Sequence, residues 1–216
     1  MKKFLSYLWP FTRKISSDIN GILEITYING KKVLDSANAN YSYGSLQKVL
    51  EFGLKRISLG SVDNLLILGM GGGSIIQSFR SSFNFKGNIV AVELDPTVIQ
   101  IAKEEFGIME SDNLKIVQED AFHYAKNTNK KFQLIVIDLF IDARVPSIFY
   151  QKEFCSNISK LLSPGGSFIF NLGVNLEDEN QLAQRVISNF AGQFDFQIYN
   201  DVNKTNCLLI GKNKKS

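Results

Sequence analysis

The sequence Leu65-Leu66-Ile67-Leu68-Gly69-Met70-Gly71-Gly72-Gly73-Ser74 joins a short apolar run to a turn that contains four glycines in five residues. The apolar run is typical of a buried parallel strand, and the residues from Ser74 to Phe83 have the pattern of a helix. Glycines allow a sharp turn and let a ligand approach the backbone. The first turn of a helix offers unpaired N–H groups. This stretch therefore predicts a strand–turn–helix unit with a ligand-binding turn.

Strands and helices alternate after this unit. Asp95 and Pro96 open one of the helices, since Asp is a good N-cap and Pro fits the first helical position. The further predicted strands in this region are Ile89–Val92, Leu114–Val117, Leu134–Ile137 and Ser167–Phe170. Alternation of this kind indicates an α/β protein with a doubly wound, mostly parallel sheet.

Two further helices and two strands complete the pattern. One helix is predicted from Ser147 to Leu162, ended by Ser163-Pro164-Gly165-Gly166, and the next has an acidic first turn of Glu177, Asp178 and Glu179. The last two predicted strands are Phe194–Tyr199 and Cys207–Ile210. The loop between them is too short for a parallel crossover, so the last strand is predicted to be antiparallel.

The N-terminal part has a different pattern. Ile22–Tyr27 and Lys32–Leu34 flank Asn29-Gly30, which predicts a β-hairpin with a type I′ turn. A helix follows from about Leu46, with Gly53 in its apolar stripe. We therefore expect an N-terminal unit over residues 1–60 and a nucleotide-binding domain over residues 61–216. The apolar residues near the start are expected to pack on the body of the protein or on a second copy of the chain: Phe4, Leu8, Trp9 and Phe11.

Acidic residues follow three of the predicted strands. Glu93 comes 24 positions after Gly69, where a carboxylate can accept hydrogen bonds from ribose hydroxyls. The glycine turn and Glu93 alone fit NAD enzymes equally well. Asp120, before Ala121, can accept from the amine of adenine or cap the following helix, and Asp138 ends the next strand. A chain of 216 residues with one histidine leaves little room for a hydride-transfer site and a separate substrate domain.

These segments, taken in order, resemble the spermidine synthase-like branch of the class I S-adenosylmethionine-dependent methyltransferase superfamily. The resemblance runs from about Ile22 to Ile210 and implies a Rossmann-like sheet of seven strands with the last antiparallel, preceded by a small β element. It implies that Glu93 holds the ribose and Asp120 the adenine of the nucleotide. The segments that carry it are Tyr41-Ser42-Tyr43-Gly44, Leu66–Gly73, Val92–Pro96, Gln118–Ala121, Ile137-Asp138 and Leu162–Gly166.

The resemblance also assigns candidate roles. Asp138 matches the catalytic Asp that accepts a proton from the nucleophile, and Asp142 is a second candidate catalytic acid. The expected nucleotide-binding residues are Gly69, Met70, Gly71, Gly73, Glu93, Leu94, Asp120, Ala121 and Asp138. The expected substrate-pocket residues are Tyr43, Arg144 and Tyr150. Core packing of Tyr43 and a surface salt pair between Arg144 and Asp142 are the alternative interpretations.

The chain departs from the aminopropyltransferase pattern at the glycine loop. Gly72 stands where those enzymes have an Asp that holds the amine of decarboxylated S-adenosylmethionine, and Gly44 and Ser45 stand where an acid or amide would follow Tyr43. These changes favour a methyltransferase that uses S-adenosylmethionine and a small-molecule acceptor. An aminopropyltransferase that makes a polyamine from decarboxylated S-adenosylmethionine is the alternative. A non-catalytic nucleotide-binding protein is a third hypothesis.

Composition limits the other classes of function. The net charge of +3 is too small to favour a nucleic-acid partner. The longest apolar runs are too short to span a membrane. Cys155 and Cys207 are too isolated to form a metal site, and His123 is expected to be a structural or surface residue. We expect a soluble, cytoplasmic protein without a metal, which could form a homodimer through its hairpin and apolar N-terminus.

Overall fold

A computed structural model describes residues 6–36, 40–141, 144–174, 179–190, 194–204 and 206–214. The chain forms a four-stranded antiparallel sheet, followed by a seven-stranded sheet with helices on both faces. Several residues discussed above lie outside the described ranges, namely Phe4, Asp142, Glu177 and Asp178.

The N-terminal sheet contains the predicted hairpin. Asn29 and Gly30 have φ values of 49° and 73°, as a type I′ turn requires, so the hairpin prediction is confirmed. A further strand lies at each side of the hairpin, so the unit is larger than predicted. Its four strands, in spatial order, are β1 (Phe11–Ser17), β2 (Gly21–Ile28), β3 (Lys31–Ser36) and β4 (Asn40–Ser42).

The seven-stranded sheet has the predicted doubly wound topology. The strand order is β10-β11-β9-β8-β5-β6-β7, and β11 is antiparallel to both of its neighbours. The short connection between the last two strands had indicated this orientation. The strands are β5 (Asn64–Leu68), β6 (Asn88–Glu93), β7 (Leu114–Gln118), β8 (Phe132–Ile137), β9 (Leu162–Val174), β10 (Phe194–Val202) and β11 (Asn206–Asn213).

Helices cover both faces of this sheet. Successive side chains of a strand point to opposite faces, and in the central strands both sets are apolar. Leu65 and Ile67 belong to one hydrophobic core, and Leu66 and Leu68 belong to the other. Burial on both faces explains why Leu65–Leu68 is a continuous apolar run. The helices are α1 (Gly44–Leu54), α2 (Ser74–Ser81), α3 (Pro96–Phe106), α4 (Ala121–Asn127), α5 (Lys152–Leu161) and α6 (Glu179–Asn189).

The N-terminal sheet packs on α3, and a buried carboxylate ties the two together. Asp95 caps α3 by accepting from the Thr97 N–H at 2.8 Å. The same carboxylate accepts from the Ser17 hydroxyl and from the Asn20 amide. Asp95 is 1% exposed, so these bonds satisfy a charge that burial would otherwise destabilise. The N-terminal sheet is thereby joined to the chain two residues after Glu93.

Two sequence predictions need correction. The helix predicted from Ser147 to Leu162 is divided into a 3₁₀ turn, Ser147–Tyr150, and α5. The Ser163–Gly166 segment, which was expected to be a loop, belongs to β9, and Gly165 there has a φ of 68°. Because the register between β8 and β9 shifts in this region, the strand accommodates a Pro-Gly-Gly sequence that would break a regular ladder.

Within the residues that the structure describes, no helix is long and apolar enough to cross a membrane. Leu8 and Trp9 are 82% and 73% exposed. Whether these side chains contact a second copy of the chain stays a prediction.

The close approach of α1 to the sheet depends on Gly53. A Cβ at Gly53 would lie 3.0 Å from Cγ2 of Ile169, in a fully buried contact. We expect Gly53→Val to lower the free energy of unfolding by about 1–3 kcal/mol, because the added methyl groups overpack this contact. Urea denaturation measures the effect. Gly60→Val is the control, since nothing lies within 4 Å of a Cβ there. Equal stabilities of the two variants would contradict the prediction.

Candidate functional site

The glycine loop crosses the carboxyl ends of the central strands. The N–H groups of Gly69 and Met70 both donate to the Val92 carbonyl at 3.0 Å, which fixes the loop against β6. On the other side, a Cβ at Gly69 would overlap the carbonyl oxygen of Asp138, and Gly69 has a φ of 85°. Only glycine fits both the space and the dihedral angle. The loop therefore lies between the ends of β6 and β8, as a topological switch point requires.

The rest of the loop turns directly into α2. Gly71 and Gly73 have φ values of 54° and 82°, and a Cβ at Gly73 would approach Ile108 to 2.5 Å. The Met70 side chain is buried in the core, and its carbonyl accepts from the Gly73 N–H at 3.1 Å. Any contact of Met70 with a nucleotide is thus limited to its backbone.

Glu93 lies at the end of β6 with its carboxylate turned toward the glycine loop. One oxygen accepts from the Gly71 N–H at 2.9 Å, and the other accepts from the Asp95 N–H at 3.1 Å. Burial raises the pKa of Glu93, and the charge of Asp95 adds to this effect, while the backbone hydrogen bonds oppose it. The carboxylate keeps lone pairs that a pair of hydroxyl donors can use.

Asp138 lies at the end of β8 and faces the same crevice. Its Oδ1 accepts from Nδ2 of Asn171 at 2.9 Å. Burial raises the pKa of Asp138 to about 7; the Asn171 bond opposes this shift and the Glu93 charge adds to it. Asn171 and its partner Asn206 were not among the predicted site residues. The signal for Asn171 was a polar residue that directly follows the apolar run of a buried strand, beside Asp138.

The predicted adenine region is formed by the ends of β6 and β7. Asp120 caps α4 by accepting from the His123 N–H at 3.0 Å, which is the alternative role considered above. Ala121 is buried, and His123 is exposed as expected. The Leu94 side chain is 44% exposed and offers an apolar surface beside Glu93. Adenine binding by Asp120 and Leu94 stays a prediction.

The predicted pocket residues do not all face the crevice. Tyr43 is buried, stacks on Phe106 at 4.2 Å and donates to the Gly72 carbonyl at 3.2 Å. Its φ of 73° is rare for an aromatic residue, and burial raises the pKa of its hydroxyl. Tyr150 donates to the Val145 carbonyl. Arg144 is exposed and exchanges two backbone hydrogen bonds with Ile141.

The arrangement places Glu93 and Asp138 beside the glycine loop, and burial raises the pKa of Asp138 to about 7. Glu93 ends β6, and Asp120 and Asp138 follow β7 and β8; β5, which leads into the glycine loop, lies between β8 and β6. A crevice of this kind can hold a nucleoside by its hydroxyl and amine donors. The Asp138 carboxylate beside the crevice can accept a proton from a nucleophile.

The strand order, in which β11 lies antiparallel between β9 and β10, is that of a Rossmann-like methyltransferase fold. The crevice at the carboxyl ends of the parallel strands is in the position where this fold binds its ligand. The family model described as the spermine/spermidine synthase domain matches residues 52–202 of the chain. The chain therefore belongs to the spermine/spermidine synthase family.

Individual relatives fall into two groups by name. Over 121 residues, the chain is 35% identical to polyamine aminopropyltransferase 2 of Aquifex aeolicus, covering 51% of this chain and 24% of that protein. Over 122 residues, it is 30% identical to the human eEF1A lysine and N-terminal methyltransferase, covering 50% of this chain and 17% of that protein. The matches thus span a quarter or less of these relatives' own lengths.

A solved structure agrees with the fold. Human methyltransferase-like protein 13 in complex with SAH superposes with a TM-score of 0.66 at 25% sequence identity. The superposition covers 78% of this chain and 82% of that one.

The raised pKa of Asp138 predicts a pH-dependent stability. In the unfolded chain the pKa of an aspartate is near its ordinary value of 3.8, so between that pH and about pH 7 the folded state binds more protons. The proton on Asp138 therefore stabilises the folded state at low pH. This contribution to the free energy of unfolding is lost as the pH rises, by at most about 1.4 kcal/mol per pH unit.

We expect Asp138→Asn to gain stability relative to the wild type as the pH rises from about 4 to about 7. Urea unfolding at several pH values measures the difference. Asp112→Asn, which changes an exposed carboxylate in the turn before β7, serves as the control. A difference between wild type and Asp138→Asn that does not vary with pH would contradict the prediction.

Proposed function

We propose that the protein is an S-adenosylmethionine-dependent methyltransferase that acts on a small-molecule acceptor. The observation that carries the proposal is the glycine loop, which has Gly72 in place of an acid and is closely packed at that position. The relatives named as methyltransferases support the same class of enzyme, whereas the family model supports a spermidine synthase-like transferase in general.

The nucleotide would lie along the carboxyl ends of β6, β7 and β8. Glu93 would accept from the ribose hydroxyls while it keeps its bond to Gly71, and Asp120 would accept from the adenine amine. Leu94 and the backbone of Met70 would line the same groove. When bound, the sulfonium group supplies an electrophilic carbon, and the protein has to align a nucleophile with it.

Asp138 would act as the general base. A base is most effective when its pKa lies near the working pH, and the pKa of Asp138 is raised to about 7. Its Oδ1 already accepts from Asn171, so Oδ2 would receive the proton of the acceptor. Asp142, the second candidate, lies outside the described residues and is proposed only by its position in the sequence.

The surroundings of Gly72 distinguish methyl transfer from aminopropyl transfer. A Cβ at Gly72 would lie 3.1 Å from Cβ of Ser42 and 3.3 Å from Cδ2 of Leu34. An acidic residue at position 72 would therefore require Ser42 and Leu34 to shift. Without such an acid, the loop suits the carboxylate of intact S-adenosylmethionine better than the amine of the decarboxylated form.

The alternative is an aminopropyltransferase. The name of the Aquifex relative and the presence of Asp138 at the catalytic position favour it. A polyamine acceptor is a cation and is held best by several carboxylates. The segment from Leu139 to Tyr150 contains one acid, Asp142, and one cation, Arg144, which is few carboxylates for a polyamine and favours the methyltransferase.

We expect S-adenosylhomocysteine to bind the wild type, and Glu93→Ala to weaken this binding by about tenfold to a hundredfold. The reason is the loss of charge-assisted hydrogen bonding to ribose, for which a single bond is worth about 1.5–3 kcal/mol. Isothermal titration calorimetry measures both affinities. Glu104→Ala, an exposed acid of α3, is the matched control and should bind like the wild type. Unchanged affinity in Glu93→Ala would count against the assigned site.

Two incubations separate the reactions. Decarboxylated S-adenosylmethionine with putrescine should give no methylthioadenosine, whereas S-adenosylmethionine with a panel of small acceptors should give S-adenosylhomocysteine. Methylthioadenosine in the first incubation would favour the aminopropyltransferase. Nucleotide binding without any turnover would favour the third hypothesis, a non-catalytic nucleotide-binding protein.

A further inference from the structure

The carboxyl end of β9 is irregular where it passes Asp138. The register between β9 and β11 shifts, so that Cys207 pairs with Gly173 and Leu208 pairs with Asn171. Leu172 is the extra residue of this bulge, and Gly173 has a φ of 101°. Bulges next to active sites commonly re-aim a side chain. In this bulge the residue that precedes the extra one is Asn171.

The orientation of the Asn171 amide is fixed by its neighbours. Its Oδ1 accepts from the Gly173 N–H at 3.2 Å and from Nδ2 of Asn206 at 3.1 Å. Because both of these partners are donors, Oδ1 must face them and Nδ2 must face Asp138. Asn171 is fully buried and Asn206 is 8% exposed, so water competes little for these bonds.

We propose that Asn171, oriented by Asn206 and the Gly173 N–H, is a positioning residue that holds the Asp138 carboxylate for proton transfer. The donor Nδ2 engages Oδ1 at 2.9 Å, and the described residues place no hydrogen bond on Oδ2. Oδ2 is then the oxygen that receives the proton of the nucleophile as the new bond to carbon forms. The catalytic part of this inference rests on the proposed function, whereas the positioning itself does not.

A purely structural role for Asn171 makes a different prediction. In that case only Oδ1 matters, since it supports the bulge through Gly173. Asn171→Asp separates the two roles, because aspartate keeps the acceptor that faces Gly173 and Asn206 but replaces the donor that faces Asp138. The exchange also brings a like charge close to Asp138.

The experiment is a titration of Asp138 by carboxyl ¹³C NMR in aspartate-labelled protein, with the signal assigned from Asp138→Asn. We expect the pKa of Asp138 in Asn171→Asp to rise above its wild-type value, because a hydrogen bond to the charged form is lost and a negative charge is gained. Asn157→Asp is the matched control, since Asn157 is also buried but its Nδ2 has no hydrogen-bond partner among the described residues. This control should leave the Asp138 titration unchanged.

A second variant covers the case in which Asn171→Asp does not fold. Asn206→Ala keeps Asn171 but removes one of the two donors that orient its amide, so the pKa of Asp138 should rise by a smaller amount. An Asp138 titration at the wild-type value in a folded Asn171→Asp, or in Asn206→Ala if the first does not fold, would overturn the proposal.

The rate profile tests the catalytic part separately. In Asn171→Asp the acidic limb of the pH–kcat profile should move to higher pH, while the affinity for S-adenosylhomocysteine stays near that of the wild type. A raised pKa of Asp138 with an unmoved rate profile would overturn the catalytic role. If no acceptor is ever methylated, the proposed function fails, yet the NMR titration still decides whether Asn171 positions Asp138.

Discussion

The close contact between Gly69 and the backbone of Asp138 is the constraint on which the site depends. A side chain at position 69 would overlap the Asp138 carbonyl, so glycine is required where the loop passes β8. The same loop is fixed against β6 through the Val92 carbonyl. These two attachments bring the Glu93 carboxylate, the Gly71 N–H and the Asp138 side chain to one end of the sheet. A nucleotide crevice is the geometric consequence of that crossing.

The N-terminal sheet completes the opposite side of the loop. The Tyr43 hydroxyl donates a hydrogen bond to the Gly72 carbonyl, and the Ser42 hydroxyl accepts from the Ser74 N–H at 3.4 Å. The Ser17 hydroxyl reaches Asp95, whose own N–H donates to Glu93. Residues far from the loop in sequence therefore determine what it can hold. The small hairpin unit thus has a direct part in shaping the nucleotide site, because its strands occupy the space beyond Gly72.

How far the sequence predicts this structure depends on how local each signal is. Buried parallel strands such as Leu65–Leu68 are continuous apolar runs, and Asn29-Gly30 identifies its turn by backbone conformation alone. β1 was missed because most of its side chains are exposed and it has no clear alternation. Asn171 was missed because its role depends on a bulge and on Asn206, 35 residues away. Asp120 was placed correctly at a helix start, but capping and adenine binding leave the same pattern.

Asp138 illustrates how opposing effects set the chemistry of the site. Burial favours its neutral form and the charge of Glu93 acts in the same direction, whereas the amide of Asn171 favours the carboxylate. The balance leaves a group that can take a proton near neutral pH. The proposed role of Asp138 as a base is compatible with an amine or a hydroxyl acceptor and with methyl or aminopropyl transfer. The proposed preference for methyl transfer therefore rests on the other end of the loop, where Gly72 replaces an acid and a Cβ would lie 3.1 Å from Cβ of Ser42.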